Sequence, residues 1–291
     1  MAPDELLSAS LDELLIATLD EFLIASLDED LGERGDVTSE ATIPDEAQAV
    51  AHLVARRPGC IAGLSVALRV FELVDDAVAV GALVTEGEIV SPGARLATIQ
   101  GPARAILAGE RLALNLLGQL SGVATATRAL VDRVEGTRAR IVDTRKTTPL
   151  LRSLQKRAVV AGGGGNHRMG LYDQVLIKDN HIRAVGSAPE AVRRARAHVG
   201  EDMTVEVEIE DLAALEDVIA AGADIVMLDN MAPDEMARAV EAAAGRVVLE
   251  ASGGITLDTV RTVAESGVDL ISVGWLTHSA PALDVSLEFD P

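Results

Sequence analysis

Aromatic side chains are nearly missing from this chain: its 291 residues include one Trp, one Tyr and three Phe. A core of any size must therefore be aliphatic, and the stacking platforms that hold single-stranded nucleic acid have little to be built from. The one cysteine, Cys60, rules out an internal disulfide. That points to a reducing compartment and marks Cys60 as a packing residue rather than a nucleophile. No apolar run approaches the roughly 18–20 residues that span a bilayer. The opening MAPDELLSASLDELL is acidic and lacks the basic start of a signal peptide. A cytoplasmic protein with no membrane partner is expected. Lysine is scarce as well, three residues against 22 arginines and 46 acids, for a formal net charge of −21. Such an excess repels nucleic acid and anionic membranes. It also suggests adaptation to high salt, the plainer account being codon bias toward Arg, Ala and Asp.

The sign reverses in one window. Residues 143–183 contain Arg145, Lys146, Arg152, Lys156, Arg157, Arg168, Lys178 and Arg183 against Asp143, Asp173 and Asp179. All three lysines are there, together with the run Gly162 to Gly165. A basic island in so acidic a chain calls for a polyanionic ligand. The blander reading, a solvated basic face with a flexible Gly loop, has little support when lysine is absent elsewhere.

Rhythm along the chain gives the architecture. Residues 10–32 contain an eight-residue repeat, SLDELLIA, TLDEFLIA and SLDEDLG; its apolar positions Leu11, Leu14, Leu15, Leu19, Phe22, Leu23 and Leu27, with Leu7 just before it, fall on one helical face. Residues 48–100 read as strands and turns around one helix candidate, SVALRVFELV; GEIVSPGARLATI has the β geometry of lipoyl-type hairpins without their lysine. Residues 109–134 form a long helical pattern with Gly118 and Gly122 as close-packing points. From 139 onward, short β-branched runs (139–144, 174–180, 204–210, 224–230, 246–254 and 269–274) alternate, in the later part, with Ala-rich helical segments. That pattern implies a parallel α/β sheet with helices outside. Six strands favour a small or incomplete barrel, with a doubly wound open sheet as the alternative.

Each strand ends in a polar cluster, and in a barrel those ends share one mouth. Arg145 and Lys146 follow the first strand; Arg suits forked recognition of carboxylate or phosphate, and Lys acts as a point charge. Gly162–Gly165 lead into His167 and Arg168, and Lys178 follows the second strand. Glu206, Glu208 and Glu210 alternate along the third, where the plain alternative is a wet edge strand. Asp229 ends a fully apolar run. Glu208 and Asp229 are the candidates for a Mg²⁺–phosphate–sugar assembly, since Mg²⁺ takes one or two carboxylates plus ligand phosphates. Ser252, Gly253 and Gly254 precede a helix start, and Gly274 closes the last strand; both suit phosphate. His52 and His198 read as bland, His278 as peripheral and His181 as a structural hydrogen-bonder. G-x-G-x-x-G and Walker A motifs are missing, which removes support for dinucleotide binding and P-loop chemistry.

These segments resemble a known family. DTRKTTP (143–149), GGGGNHR (162–168) and LIKDNH (176–181), with GERLALNLLGQLSGVAT (109–125), EDLGERGDVTS (29–39), VEVE, MLDN, EASGGI and ISVG, are similar to the quinolinate phosphoribosyltransferases across residues 27–280. The resemblance implies conversion of quinolinate and phosphoribosyl pyrophosphate, with Mg²⁺, to nicotinate mononucleotide, CO₂ and pyrophosphate. It implies an N-terminal open α/β sandwich (1–122, joined by 280–291) and a C-terminal six- or seven-stranded α/β barrel (123–279). It further implies a homodimer or a hexamer of dimers. In it, Arg111 reaches the partner's site; Arg145, His167, Arg168 and Lys178 grip quinolinate; Lys146, Lys178, Glu208 and Asp229 are catalytic. Lys146, Glu208, Asp229, Ser252, Gly253, Gly254 and Gly274 hold phosphoribosyl pyrophosphate, with Mg²⁺ on Glu208 and Asp229. A paralogue acting on another heteroaromatic acid is the alternative. Two departures stand out: Leu150 where the family commonly has Gly, and Lys156-Arg157 where Lys-Tyr is frequent.

Overall fold

A computed structural model describes residues 18–291, which divide into two compact units: one runs to Ser121 and takes in Ala282–Pro291, the other is Gly122–Pro281. Leu7, Leu11, Leu14 and Leu15 of the duplicated segment lie outside the described residues. Residues 18–31 are helical (α1), with Leu23 and Leu27 buried at the expected four-residue spacing.

In the first unit the order is α1, α2 (Val37–Thr42), β1 (Gln48–Ala55), β2 (Gly59–Cys60), α3 (Leu64–Val74), β3 (Ala79–Ala82), β4 (Ile89–Val90), β5 (Arg95–Pro102) and the start of α4 (Ala103–Val134). A four-stranded antiparallel sheet has the order β12-β1-β5-β3, where β12 (Val285–Phe289) returns from the far end of the chain. With so few aromatics the layers must approach closely, and glycine allows it. A Cβ at Gly109 would stand 2.9 Å from the Phe71 ring, and one at Gly118 would stand 2.9 Å from the Leu283 carbonyl oxygen. His52 is buried on β1 against Thr98 and Arg95, a strand residue rather than a surface one.

The second unit continues with β6 (Arg140–Val142), α5 (Arg152–Ala161), β7 (Val175–Ile177), α6 (Asp179–Val185), α7 (Ala188–Val199), β8 (Val205–Ile209), α8 (Leu215–Ala220), β9 (Ile225–Asp229), α9 (Pro233–Ala243), β10 (Val248–Ser252), α10 (Val260–Glu265) and β11 (Leu270–Ser272). Six parallel strands run in the order β6-β11-β10-β9-β8-β7. From β7 to β11 the spatial order follows the sequence with no reversal. A doubly wound sheet reverses at a switch point, so the winding is that of a barrel. Gly165 adds a parallel bridge to Val142 on the free side of β6. These strands read as apolar runs because helices cover one face and the opposed strands the other; Val205, Val207, Val226, Leu228, Ala251 and Ile271 are all fully buried. Sequence punctuation sets the helix limits, as in α7, where the Ser187 side chain accepts from the Glu190 N–H, Pro189 opens the helix and Gly200 closes it.

Two of the plainer alternatives are excluded. The strand bearing Glu206 and Glu208 is no wet edge: β8 lies between β7 and β9, Glu206 is completely buried and Glu208 nearly so, while Glu210 falls past the strand end and is exposed. The basic window is no flexible loop either, because α5 occupies Arg152–Ala161 and buries Lys156.

Candidate active site

The C-terminal strand ends of the second unit surround a cavity of about 250 Å³. Of the residues expected at the site, Arg145, Lys146, His167, Arg168, Lys178 and Ser252 line it. Local hydrogen bonds hold the rim. The Lys146 N–H donates to Thr144 Oγ1 (3.0 Å), and Thr277 Oγ1 donates to the Lys146 carbonyl (2.9 Å). A Cβ at Gly274 would come to 3.0 Å from Lys146 Cδ, so this glycine leaves the lysine its path.

Beneath the rim lies a buried scaffold. The Lys156 ammonium pairs with Asp143 and donates to the His167 carbonyl (2.9 Å), while the His167 N–H donates to Asp143 Oδ1 (2.9 Å). The Asn166 amide donates to Asp143 Oδ2 (2.6 Å) and to the Lys156 carbonyl (3.0 Å). Lys156 and Asp143 are 1% and 0% exposed, so this lysine fixes the backbone that presents His167 and Arg168 and does not itself meet a ligand. Burial pushes the Asp143 carboxyl above its ordinary range, and Lys156 opposes that rise. The glycine run has a steric cause: a Cβ at Gly162 would strike the Ala124 carbonyl, and one at Gly164 would come to 2.8 Å from Thr127 and Val159.

Arg168 donates to the Gln174 carbonyl (3.1 Å); burial, then the charge of Arg145, lowers its pKa. Two guanidiniums that disfavour one another across a cavity define a place for an anion. Lys178 Nζ pairs with Glu208 Oε2 at 2.8 Å. Asp229, at the end of β9, accepts from Asn230 Nδ2 (2.7 Å), and its pKa is raised by burial and then by the charge of Glu208. These two carboxylates form a hard-oxygen set whose mutual repulsion a divalent cation would relieve, so they fit Mg²⁺. Gly253 adopts φ +95°, and a Cβ there would strike Asn230 Oδ1, which keeps the backbone after β10 bare. Gly254 also has positive φ.

His167 differs from expectation. Its Nδ1 accepts from the Arg168 N–H (2.7 Å), and its Nε2 lies 3.0 Å from Glu206 Oε2 and 3.6 Å from Glu250 Oε2. Burial opposes its protonation, yet the Glu206 contact and the charges of Glu250 and Glu206 prevail and raise its pKa. Both ring nitrogens are thus turned toward the protein. His181 Nδ1 accepts from the Lys178 N–H (2.9 Å), the structural role expected of it. Arg111 is not among the cavity residues; it lies on α4 in the first unit with its side chain 64% exposed. Thr144, Glu250 and Ser272 also line the cavity; the first two belong to the polar clusters at strand ends, but none of the three had been assigned a role. Glu250 and Ser272 did leave a signal in VVLEAS and LISVG, where one polar residue interrupts an otherwise apolar strand.

Comparison with known proteins places these features in context. Residues 36–121 match the N-terminal and 123–288 the C-terminal domain model of quinolinate phosphoribosyl transferase. The chain is 45% identical over 254 residues to the probable nicotinate-nucleotide pyrophosphorylase [carboxylating] of Bacillus subtilis, covering 87% of this chain and 88% of that one. It is 45% identical over 258 residues to the Mycobacterium leprae nicotinate-nucleotide pyrophosphorylase [carboxylating], covering 87% and 90%. Among solved structures, NadC from Streptococcus pyogenes superposes with a TM-score of 0.89 at 42% identity, covering 94% of this chain and 97% of that one. The nicotinate-nucleotide pyrophosphorylase of Francisella tularensis gives 0.90 at 38%, covering 94% and 96%.

Proposed function

The chain belongs to the quinolinate phosphoribosyl transferase family, and from that premise we infer that it transfers phosphoribose from phosphoribosyl pyrophosphate to quinolinate with loss of CO₂, a pentosyltransferase step that forms nicotinate mononucleotide. The observation that carries the reading is a cavity walled by Arg145, Lys146, Arg168 and Lys178 in a chain of net charge −21, beside the carboxylates of Glu208 and Asp229. Quinolinate brings two carboxylates, which suit Arg145 and Arg168 as forked donors. Lys146, Ser252 and the bare backbone of Gly253, Gly254 and Gly274 suit the phosphate and pyrophosphate.

The ring nitrogen attacks the anomeric carbon as pyrophosphate departs. Charge then grows on the leaving group and the ribose becomes oxocarbenium-like. Lys146 and Lys178 stabilise the first and the carboxylates of Glu208 and Asp229 the second. Mg²⁺, when bound, adds neutralisation of the departing pyrophosphate, with Glu208 and Asp229 as its protein anchors. Decarboxylation leaves an electron pair at C2 that the pyridinium nitrogen tolerates before a proton is added.

The same reading takes the enzyme as a homodimer, or a hexamer built of dimers, in which Arg111 supplies a further cation to the partner's site; the support is an exposed arginine whose nearest carboxylate among the described residues is Glu110, at 4.0 Å. It also places the enzyme in the cytoplasm; no helix of the described residues is long and apolar enough to cross a membrane. Quinolinate-dependent release of CO₂ from purified protein with phosphoribosyl pyrophosphate and Mg²⁺ tests the activity. Arg145→Ala and Lys146→Ala are each expected to lower kcat/KM well over tenfold, since each removes a charged contact. Wild-type kinetics in both, or turnover of nicotinate but not quinolinate, overturns the reading.

A further inference from the structure

The cavity floor holds polar atoms that the reaction above does not use. Glu250 is completely buried, and neither of its oxygens has a hydrogen-bond partner. On the adjacent strand Ser272, 4% exposed, has an unpartnered Oγ, and at the rim Arg145 has an unpartnered Nε. All three residues line the same cavity. Sealed polar atoms without partners are costly, and their convergence marks a place where a ligand completes the bonding.

The groups facing Glu250 decide which ligand. They are Glu206 from β8, His167 ahead of β7, Ser272 from β11 and Lys178 after β7, with Arg145, Lys146 and Arg168 around the opening. Gln174 Nε2 donates to Glu206 (2.6 Å), and His167 stands closer to Glu206 than to Glu250. Gln174 thus serves one oxygen of Glu206, while Glu250 has at most the neighbouring Ser272 hydroxyl, and of two neighbouring carboxylates the less well served one keeps the proton. Burial, then the charge of Glu206, pushes the Glu250 acid up to about 7, against the opposing effects of His167, Ser272 and Lys178. The ligand atoms of His167, Glu206 and Glu250 lie within 4.8 Å of one another, a spacing that also suits a cation. However, the unpartnered Ser272 hydroxyl and Arg145 N–H at the same cavity are donors, which call for an acceptor.

We propose that Glu250, as the neutral acid, donates its O–H to a carboxylate of the diacid substrate, with the Ser272 hydroxyl as a second donor. The cations then grip the substrate from the sides and two neutral donors recognise it from below. A ring acid with hydrogen in place of the second carboxylate leaves these donors empty, so they contribute to selection of the diacid. This rests on the assignment of quinolinate as substrate.

The test is kcat/KM for quinolinate from pH 6 to 9, with kcat/KM for phosphoribosyl pyrophosphate as the control. In the wild type the quinolinate value falls about tenfold per pH unit above the Glu250 pKa of about 7. Glu250→Gln keeps a donor without a titrating proton and loses that alkaline limb. Glu250→Ala raises KM for quinolinate at least tenfold below pH 7, a difference that closes as the wild type loses its proton at higher pH, and Ser272→Ala raises it severalfold with the limb retained. Identical pH profiles in the wild type and Glu250→Gln overturn the proposal. So does a stoichiometric metal retained after dialysis by the wild type and lost from Glu250→Gln. Absence of any quinolinate turnover in the wild type instead sinks the parent assignment, so the two failures are distinct.

Discussion

Lys156 and Asp143 meet where water does not reach, and removing one leaves the other charged and sealed. Lys156→Met should therefore cost about 3–5 kcal/mol in a urea titration and loosen the His167–Arg168 segment that the pair holds. Glu250 links stability to pH. Its folded pKa, about 7, lies above the ordinary 4.5. Its contribution is complete below the unfolded value and is lost as pH rises through the folded one. Compared with Glu250→Gln, the wild type should lose melting temperature between about pH 4.5 and 7 and show no further difference above that window. Leu150 sits at φ +66° with its side chain 88% exposed. This left-handed backbone is one that glycine adopts without a Cβ penalty. Leu150→Gly relieves roughly 1–2 kcal/mol of backbone strain and gives back about 0.5–1 in unfolded-chain entropy, so a rise of about 0.5 kcal/mol with unchanged kinetics is expected.

Among the elements, β10 and its glycines carry the sharpest expectation. Gly253→Ala forces a Cβ against Asn230 from a positive φ. A rise in KM for phosphoribosyl pyrophosphate of tenfold or more, with KM for quinolinate far less affected, would show that this turn serves the phosphate end. The parallel strands were legible because buried strands must be continuously apolar and their ends must turn polar. Those ends delivered Arg145, Lys146, Lys178, Asp229 and Ser252. What stayed hidden depends on neighbours that one segment cannot reveal. Lys156 is as basic as Lys146 in sequence, yet helix α5 points it inward at Asp143. Glu206 alternates with Glu208 as a surface carboxylate would, and only the presence of β7 and β9 on either side buries it. His167 lines the cavity with the other cationic residues, but its ring direction is set by Glu206, 39 residues later.

For the whole molecule, a net charge of −21 means self-repulsion that salt screens. Melting temperature should rise as KCl goes from low concentration to about 1 M; a flat response sinks the salt-adaptation reading. If Arg111 completes the partner's site, mixing inactive Arg111→Ala with inactive Lys146→Ala should restore activity. Random exchange of dimer halves leaves one intact site in each mixed dimer, about a quarter of the wild-type total; no recovery after proven exchange removes Arg111 from the shared site. Finally, β12 pairs with β1 through Leu53↔Leu287 and four neighbouring residue pairs, yet it is synthesised only after the whole of the second unit. On the ribosome the first sheet must wait with the flank of β1 bare, a long-lived sticky edge. Deleting the last seven residues would make that waiting state permanent, and the expected result is aggregation of nascent chains rather than a trimmed enzyme.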